Sequence, residues 1–155
     1  MYTENRPDEV RWKNQLTAEF PAIPENEALA RSLSAAFAAQ ADPTVEELTE
    51  IRTAVSEAVS NAVIHGYPQG NGQVRLELYL GEDGQLTIIV EDHGVGIEDV
   101  SLAREPLFTT GKDGERSGMG FTVMESFTDR LDVISELGKG TRVTMTKRLD
   151  LSYER

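Results

Sequence analysis

The strongest constraint on the fold is a pair of alternating segments joined by a short turn. Apolar residues recur at every second position over residues 74–80 and again over residues 86–91, and the two runs are separated by Gly81-Glu82-Asp83-Gly84. Alternation places the apolar side chains on one face of a strand, and a Gly/Asp sequence is typical of a hairpin turn. The pattern therefore predicts an antiparallel hairpin with one face turned towards a core.

Two segments with helical periodicity precede the hairpin and can cover that face. The first helix is predicted to begin with Asn26 as its N-cap. Its apolar stripe consists of Leu29, Leu33, Ala36 and Phe37. The second helix follows Asp42-Pro43-Thr44 and is ended by Gly66-Tyr67-Pro68. Its stripe consists of Leu48, Ile51, Val55, Val59 and Ala62.

The remaining pattern completes an α+β fold, in which helices cover one face of a mainly antiparallel sheet. Strands are predicted at residues 16–20, 131–135 and 141–146, and a short helix at about residues 120–127. Between residues 92 and 120 the chain is rich in glycine and has no sustained periodicity, which is typical of a functional loop. At 155 residues, the whole of 1–155 is expected to form one domain, with residues 1–12 as a flexible start.

Composition and charge exclude several classes of function. The net charge is −12, and no cluster of Lys and Arg could neutralise a nucleic-acid backbone, so DNA or RNA is not expected as a direct partner. The absence of cysteine excludes disulfides, thiolate metal sites and a cysteine nucleophile. No apolar run reaches the roughly 18 residues of a membrane span, and the N-terminus has no signal-peptide pattern. We therefore expect a cytoplasmic protein without a membrane partner.

The second predicted helix carries two polar residues that could belong to a site. Glu57 and Asn61 lie roughly 40° apart around a helix that turns by about 100° per residue, so they share one line, away from the apolar stripe. No basic residue stands three or four positions from Glu57. A merely solvated glutamate remains the alternative, because the spacing alone does not decide between the two.

Two motifs that contain glycine follow the hairpin. In E-D-H-G-V-G, Asp92 could accept hydrogen bonds from an exocyclic amine, and Gly94 and Gly96 permit close approach of the backbone to a flat ligand. In isolation an Asx turn is the simpler explanation. In S-G-M-G-F-T, the glycines open a helix whose free N–H groups could bind an anion, although the spacing is not that of a Walker P-loop. The basic residues around this second motif are Arg104, Lys112 and Arg116.

Taken in order, these three motifs resemble the N, G1 and G2 boxes of the GHKL ATPases, the superfamily of histidine kinases, Hsp90 and gyrase. Two longer strings, T-E-I-R-T-A-V-S-E-A-V-S-N-A-V-I-H-G-Y and E-R-S-G-M-G-F-T-V-M-E, are similar to the sporulation anti-sigma F factors, which are serine kinases. The similarity covers residues 14–148, while the first dozen residues and the G-K-D-G string match less clearly. It implies the Bergerat ATP-binding sandwich as the fold.

The resemblance also implies a role for each motif position. Asn61 would be the Mg²⁺ ligand, Glu57 the general base for the substrate serine, and Asp92 the carboxylate that recognises adenine. The other implied residues of the adenine site are Gly94, Gly96 and Thr141. Residues 106–117 would form the ATP lid. The residues implied at the phosphates are Thr109, Thr110, Ser117, Gly118, Met119 and Gly120, with Arg116 at the γ-phosphate.

The implied cofactors are ATP and Mg²⁺, and the implied partners are a sigma factor, an anti-anti-sigma factor phosphorylated on serine, and a second copy of the chain in a homodimer. Arg31, expected on the exposed side of the first helix, is a candidate for partner docking. His65 and His93 are not expected to accept phosphate, because a phosphoacceptor histidine normally lies on a separate helical domain. Two alternatives remain: a nucleotide-binding anti-sigma module without phosphotransfer, and a related stress-response anti-sigma kinase.

Overall fold

The structure is a computed structural model that describes residues 11–106 and 120–149. Its central element is a five-stranded antiparallel sheet. The strands are β1 (Trp12–Pro21), β2 (Gln73–Gly81), β3 (Gln85–Asp92), β4 (Arg130–Glu136) and β5 (Gly140–Arg148). Their order in the sheet is β1-β2-β3-β5-β4, so β5 is inserted between β3 and the edge strand β4. The predicted hairpin is confirmed: β2 and β3 pair antiparallel, from Val74 opposite Asp92 to Leu80 opposite Leu86.

The helices in the described part of the chain are α1 (Glu25–Ala38), α2 (Val45–Asn61), α3 (Val100–Ala103) and α4 (Gly120–Phe127). A short 3₁₀ turn, Ala39–Ala41, ends α1, and a π-helical turn, Ala62–Gly66, continues α2. α2 begins where the sequence predicts, because Thr44 forms a capping box with Glu47, with hydrogen bonds of 3.0 and 2.8 Å. None of these helices combines the length and apolar character needed to cross a bilayer.

The core lies between the inner face of the sheet and the helices. Every second residue of β2, from Val74 to Leu80, is at most 1% exposed. Ile51, Val55 and Val59 of α2 are fully buried and belong to the same cluster, as predicted. Burial of each such side chain contributes roughly 1.5–3 kcal/mol relative to leaving it in water. The α+β fold with helices on one face is therefore confirmed.

The prediction for α1 is wrong in two respects. The helix begins at Glu25 with Pro24 as its N-cap, and the side chain of Asn26 instead donates a hydrogen bond to the Pro21 carbonyl oxygen. The buried face also differs in part: Phe37 is buried as predicted, but Leu29 is 46% exposed, and the other residues that face inward are Ala30, Ser34, Ala35 and Ala38. Small apolar residues occur on several sides of this helix, so the periodicity does not identify the buried face. The alanines on the inward side allow α1 to pack closely on α2.

The opposite face of the sheet carries a polar network. Glu77 of β2 is only 8% exposed and accepts hydrogen bonds from Tyr79 Oη (2.6 Å) and Arg75 Nε (3.0 Å). Burial opposes ionisation of Glu77, but these bonds and the charge of Arg142 outweigh it and lower its pKa. Burial and the bond to Glu77 raise the pKa of Tyr79 to about 12. This face is therefore held together by paired charges, whereas the core lies on the helical side.

Candidate nucleotide-binding site

A cavity of about 590 Å³ lies between the helices and one end of the sheet. Its wall includes the end of α2 with the π-helical turn, the end of β3 with the following loop, α3, the start of α4, and β5. Its size falls in the range typical of small-molecule sites. The predicted site residues that line it are Asn61, Asp92, Gly96, Gly120 and Thr141.

Asp92 ends β3 at the floor of the cavity and is 5% exposed. Its Oδ1 accepts a hydrogen bond of 2.9 Å from the Gly94 N–H, and the Thr141 main chain also hydrogen-bonds the carboxylate. Burial is the larger influence and raises the pKa of Asp92, while the two main-chain bonds oppose that rise. Asp92 and Thr141 are direct partners across the β3–β5 pairing, which places their side chains side by side.

Glycines allow the backbone to close tightly behind Asp92. A Cβ at Gly94 would collide with the carbonyl oxygen of Gly66, and one at Gly140 would collide with the main chain of Asp92. A Cβ at Gly66 would lie 2.9 Å from the Asp92 carboxylate. Gly94 therefore makes its close approach to the π-helical turn, while Gly96 (φ +78°) lies on the cavity wall.

The π-helical turn connects the two parts of the site. Gly66, at its end, accepts a hydrogen bond of 2.9 Å from the Val95 N–H through its carbonyl oxygen, which ties the loop after Asp92 to α2. Tyr67 follows, and its hydroxyl accepts from the His93 N–H and donates to the Gln73 carbonyl oxygen, both at 2.7 Å. Turns of this kind occur frequently at functional sites.

Glu57 and Asn61 meet the start of α4 at the other end of the cavity. The position of a Cβ on Gly120 is 3.2 Å from Glu57 Oε2 and 3.3 Å from Asn61 Nδ2. The first residue of α4 therefore packs against both side chains, with the positive end of the helix dipole beside the carboxylate. Asn61 lines the cavity, and Glu57 is half-buried next to it. The structure thus brings the acid and the amide to one end of a cavity that has Asp92 in its floor.

Several predicted residues lie elsewhere. Residues 107–119, which include Thr109, Thr110, Arg116, Ser117, Gly118 and Met119, as well as most of the predicted lid, are outside the described residues. Arg31 lies on α1, its side chain 42% exposed, 3.4 Å from Glu27. Arg104 is paired with Glu125 of α4 at 2.6 Å, so within the described residues its charge is already met.

The cavity also contains residues that the motifs did not single out. Its apolar wall includes Val95, Ile97, Leu102, Phe121 and Leu137, and His65 of the π-helical turn also lines it. Ile97 directly follows the D-x-G-x-G motif, so its position could have indicated its role. Leu137 and Phe121 reach the cavity only through the packing of β4–β5 and α4, which the sequence does not show.

Comparison with known proteins identifies the family of this chain. Residues 20–147 match the family model described as histidine kinase-like ATPase domain. The anti-sigma F factor of Lysinibacillus sphaericus is 55% identical over 136 residues, covering 87% of this chain and 92% of that protein. The anti-sigma F factor of Clostridium beijerinckii is 51% identical over 139 residues, covering 89% and 96%.

A solved structure shows the same fold. The RsbU and RsbW domains of a Mycobacterium tuberculosis protein match with a TM-score of 0.64 at 20% identity, covering 88% of this chain and 33% of that one. The fold is thus that of a histidine kinase-like ATPase domain. Within that class, this chain belongs to the anti-sigma F factor family.

Proposed function

We propose that this chain is an anti-sigma factor that also acts as a Mg·ATP-dependent protein-serine kinase. The observation that carries the proposal is the division of one cavity into two ends. A carboxylate and a threonine lie together in the floor, and a second carboxylate and an amide lie beside the N-terminus of α4. This arrangement suits a ligand with a hydrogen-bonding base at one end and phosphates at the other.

At the floor, the carboxylate of Asp92 would accept hydrogen bonds from the exocyclic amine of adenine. Two main-chain N–H groups already fix its orientation, so the acceptor is preorganised before the base enters. The apolar residues of the wall, among them Ile97 and Val95, would contact the faces of the ring. Thr141 would complete the floor beside Asp92.

At the α4 end of the cavity, the side chains could bind a hard cation only if phosphate oxygens supply further ligands. Among the described residues there is no group of three or more His, Asp or Glu that could hold a metal by itself. Asn61 would therefore supply one amide oxygen to Mg²⁺, and phosphates and water would supply the rest, which is the usual arrangement for this ion. Bound Mg²⁺ would neutralise the charge that develops on the transferred phosphoryl group.

Glu57 would act as the general base. Its carboxylate lies beside Asn61 and the first residue of α4, where the terminal phosphate of a nucleotide bound in this cavity would lie. It would take the proton from the substrate serine as the serine oxygen attacks the γ-phosphorus and ADP leaves. The residues proposed to complete the phosphate site are Arg116, Thr109, Thr110, Ser117, Gly118, Met119 and Gly120.

The names of the relatives, which are anti-sigma F factors, support the protein partners that we propose. We propose that this chain binds a sporulation sigma factor, phosphorylates an anti-anti-sigma factor on serine, and works as a homodimer in the cytoplasm. Arg31 of α1 would contribute to docking: its guanidinium is held by Glu27, yet 42% of its side chain remains exposed. Unchanged sigma-factor affinity in Arg31→Glu would exclude this role.

The kinase assay combines the protein, radiolabelled Mg·ATP and a candidate anti-anti-sigma protein. We expect the label on a serine of the partner. Glu57→Gln should lower the rate by about 10²–10⁴-fold with little change in ATP affinity, because a general base acts only in the transition state. Glu46→Gln, an exposed substitution in the first turn of the same helix, is the matched control.

Three results would change the proposal. A Glu57→Gln rate within a few-fold of wild type would exclude Glu57 as the base. ATP and sigma-factor binding without any transfer would indicate a binding module instead. Label on His65 or His93 would overturn the serine kinase.

A further inference from the structure

Ser135 of β4 makes three hydrogen bonds at the edge of the cavity. Its Oγ accepts from the Ile97 N–H (2.7 Å), donates to the Gly140 carbonyl oxygen (2.9 Å), and lies 2.8 Å from the Thr141 hydroxyl. Thr141 lines the cavity beside Asp92. Ser135 is the direct partner of Thr141 across the β4–β5 pairing. One side chain therefore connects the loop after Asp92, the β4–β5 turn and the cavity floor.

The supply of protons decides the direction of the third bond. A serine hydroxyl has one proton and two lone pairs. The three contacts are all hydrogen bonds at once only when the Gly140 carbonyl oxygen, which can only accept, takes the serine proton and the Ile97 N–H, which can only donate, occupies one lone pair. The Thr141 hydroxyl must then donate its proton to the second lone pair of Ser135.

This assignment fixes what the floor of the cavity offers to a ligand. With its proton directed to Ser135, Thr141 presents only lone pairs to the cavity. Asp92, when ionised, also presents only acceptors. The two side chains are adjacent on neighbouring strands, so the floor is a surface of hydrogen-bond acceptors. It suits a base edge that carries an amine and repels one that carries a carbonyl oxygen at the same place.

We propose that Ser135 is a positioning residue that determines base specificity by holding the Thr141 hydroxyl in its acceptor orientation. The inference rests on the proposed function, because it requires a purine nucleotide in this cavity. Ser135 acts only through Thr141: when the serine oxygen is removed, the threonine hydroxyl can rotate and either donate or accept. A hydroxyl that can do both no longer discriminates between an amine and a carbonyl oxygen.

The test compares the dissociation constants for ATP and inosine triphosphate, which carries a carbonyl oxygen in place of the amine. In Ser135→Ala the preference for ATP should fall by about tenfold, the effect of one hydrogen bond of ordinary strength. Ser135→Thr, which keeps the hydroxyl, should restore it. In a Thr141→Val background, Ser135→Ala should have no further effect on the preference, because its target is gone.

Ser32→Ala, an exposed serine of α1, is the matched control, and thermal unfolding of every variant shows whether the fold is intact. If the preference for ATP is unchanged or rises in Ser135→Ala, or falls equally in the Thr141→Val background, the inference is wrong. A purely structural role would weaken both nucleotides alike and leave the preference unchanged. If the wild-type protein binds neither nucleotide, the proposed function itself fails, so the two failures are distinguishable.

Discussion

Replacement of Asp92 by asparagine should separate ligand binding from folding. In the free protein, the asparagine side chain would keep an oxygen that can accept the 2.9 Å bond from the Gly94 N–H. The substitution would also remove a charge that burial disfavours, as the raised pKa of Asp92 shows. Removal of the buried charge is a gain, and the weaker acceptance of the two main-chain bonds by a neutral amide is a loss. Each is on the order of 1 kcal/mol, so the free energy of unfolding should change by no more than about 1 kcal/mol.

The effect on ATP binding should be much larger. The substitution replaces a charged acceptor by an amide that can turn a donor towards the adenine amine. Loss of a hydrogen bond to a charged group costs about 1.5–3 kcal/mol, which corresponds to a roughly 10- to 150-fold rise in the dissociation constant. Calorimetric titration with Mg·ATP and urea unfolding would measure the two quantities on the same samples.

The pH dependence provides the internal check. Burial raises the pKa of Asp92, so the folded protein holds this proton more tightly than the unfolded chain does. The contribution of Asp92 to stability is therefore present at low pH and is lost as the pH rises through its raised pKa. ATP affinity follows the opposite trend, because the adenine amine binds the ionised Asp92 carboxylate. The affinity should therefore fall as the pH drops through the pKa of Asp92. The Asp92→Asn variant should lack this step, and equal pH profiles in both proteins would refute the reasoning.

Two further predictions concern the scaffold. Gly94→Ala should lower the free energy of unfolding by more than about 3 kcal/mol, because its Cβ would collide with the Gly66 carbonyl oxygen. Gly70→Ala has open space around it and should cost only the roughly 1–2 kcal/mol of its left-handed backbone. Equal losses of the two variants in denaturant titrations would contradict this. Ser34→Ala should raise the free energy of unfolding by about 1 kcal/mol, because Ser34 Oγ is buried without a hydrogen-bond partner among the described residues; a lower melting temperature than in Ser32→Ala would contradict this.

The sequence patterns predict most of the sheet and the longest helix. The alternation predicts β2 and β3 because apolar residues recur at every second position and face the core, with Ile89 as the exception, and α2 carries both its capping signal and a single apolar stripe. The motif order also predicts that Glu57, Asn61 and Asp92 share one cavity region. Their separation into two ends, however, follows from how α4 packs on α2, which no local signal encodes.

The failures have physical reasons of the same kind. The inward face of α1 is chosen by packing among small apolar residues and not by periodicity, so the predicted stripe places Leu29 on the wrong side. Ser135 shows no motif at all, because its three bonds depend on the register of β4 and β5 and on the approach of the loop at Ile97. Only the tertiary arrangement brings these groups together.

The continuous course of α2 into its π-helical turn restricts how the chain can vary. Residues 57–66 carry the acid and the amide at one end and the carbonyl oxygen that secures the loop after Asp92 at the other. Insertion or deletion of one residue within this stretch would rotate everything beyond it by about 100° and break one of the two alignments. The spacing from Glu57 to Gly66 should therefore be constant among homologous chains. Length differences in this region should occur instead in the segment that joins Tyr67 to β2.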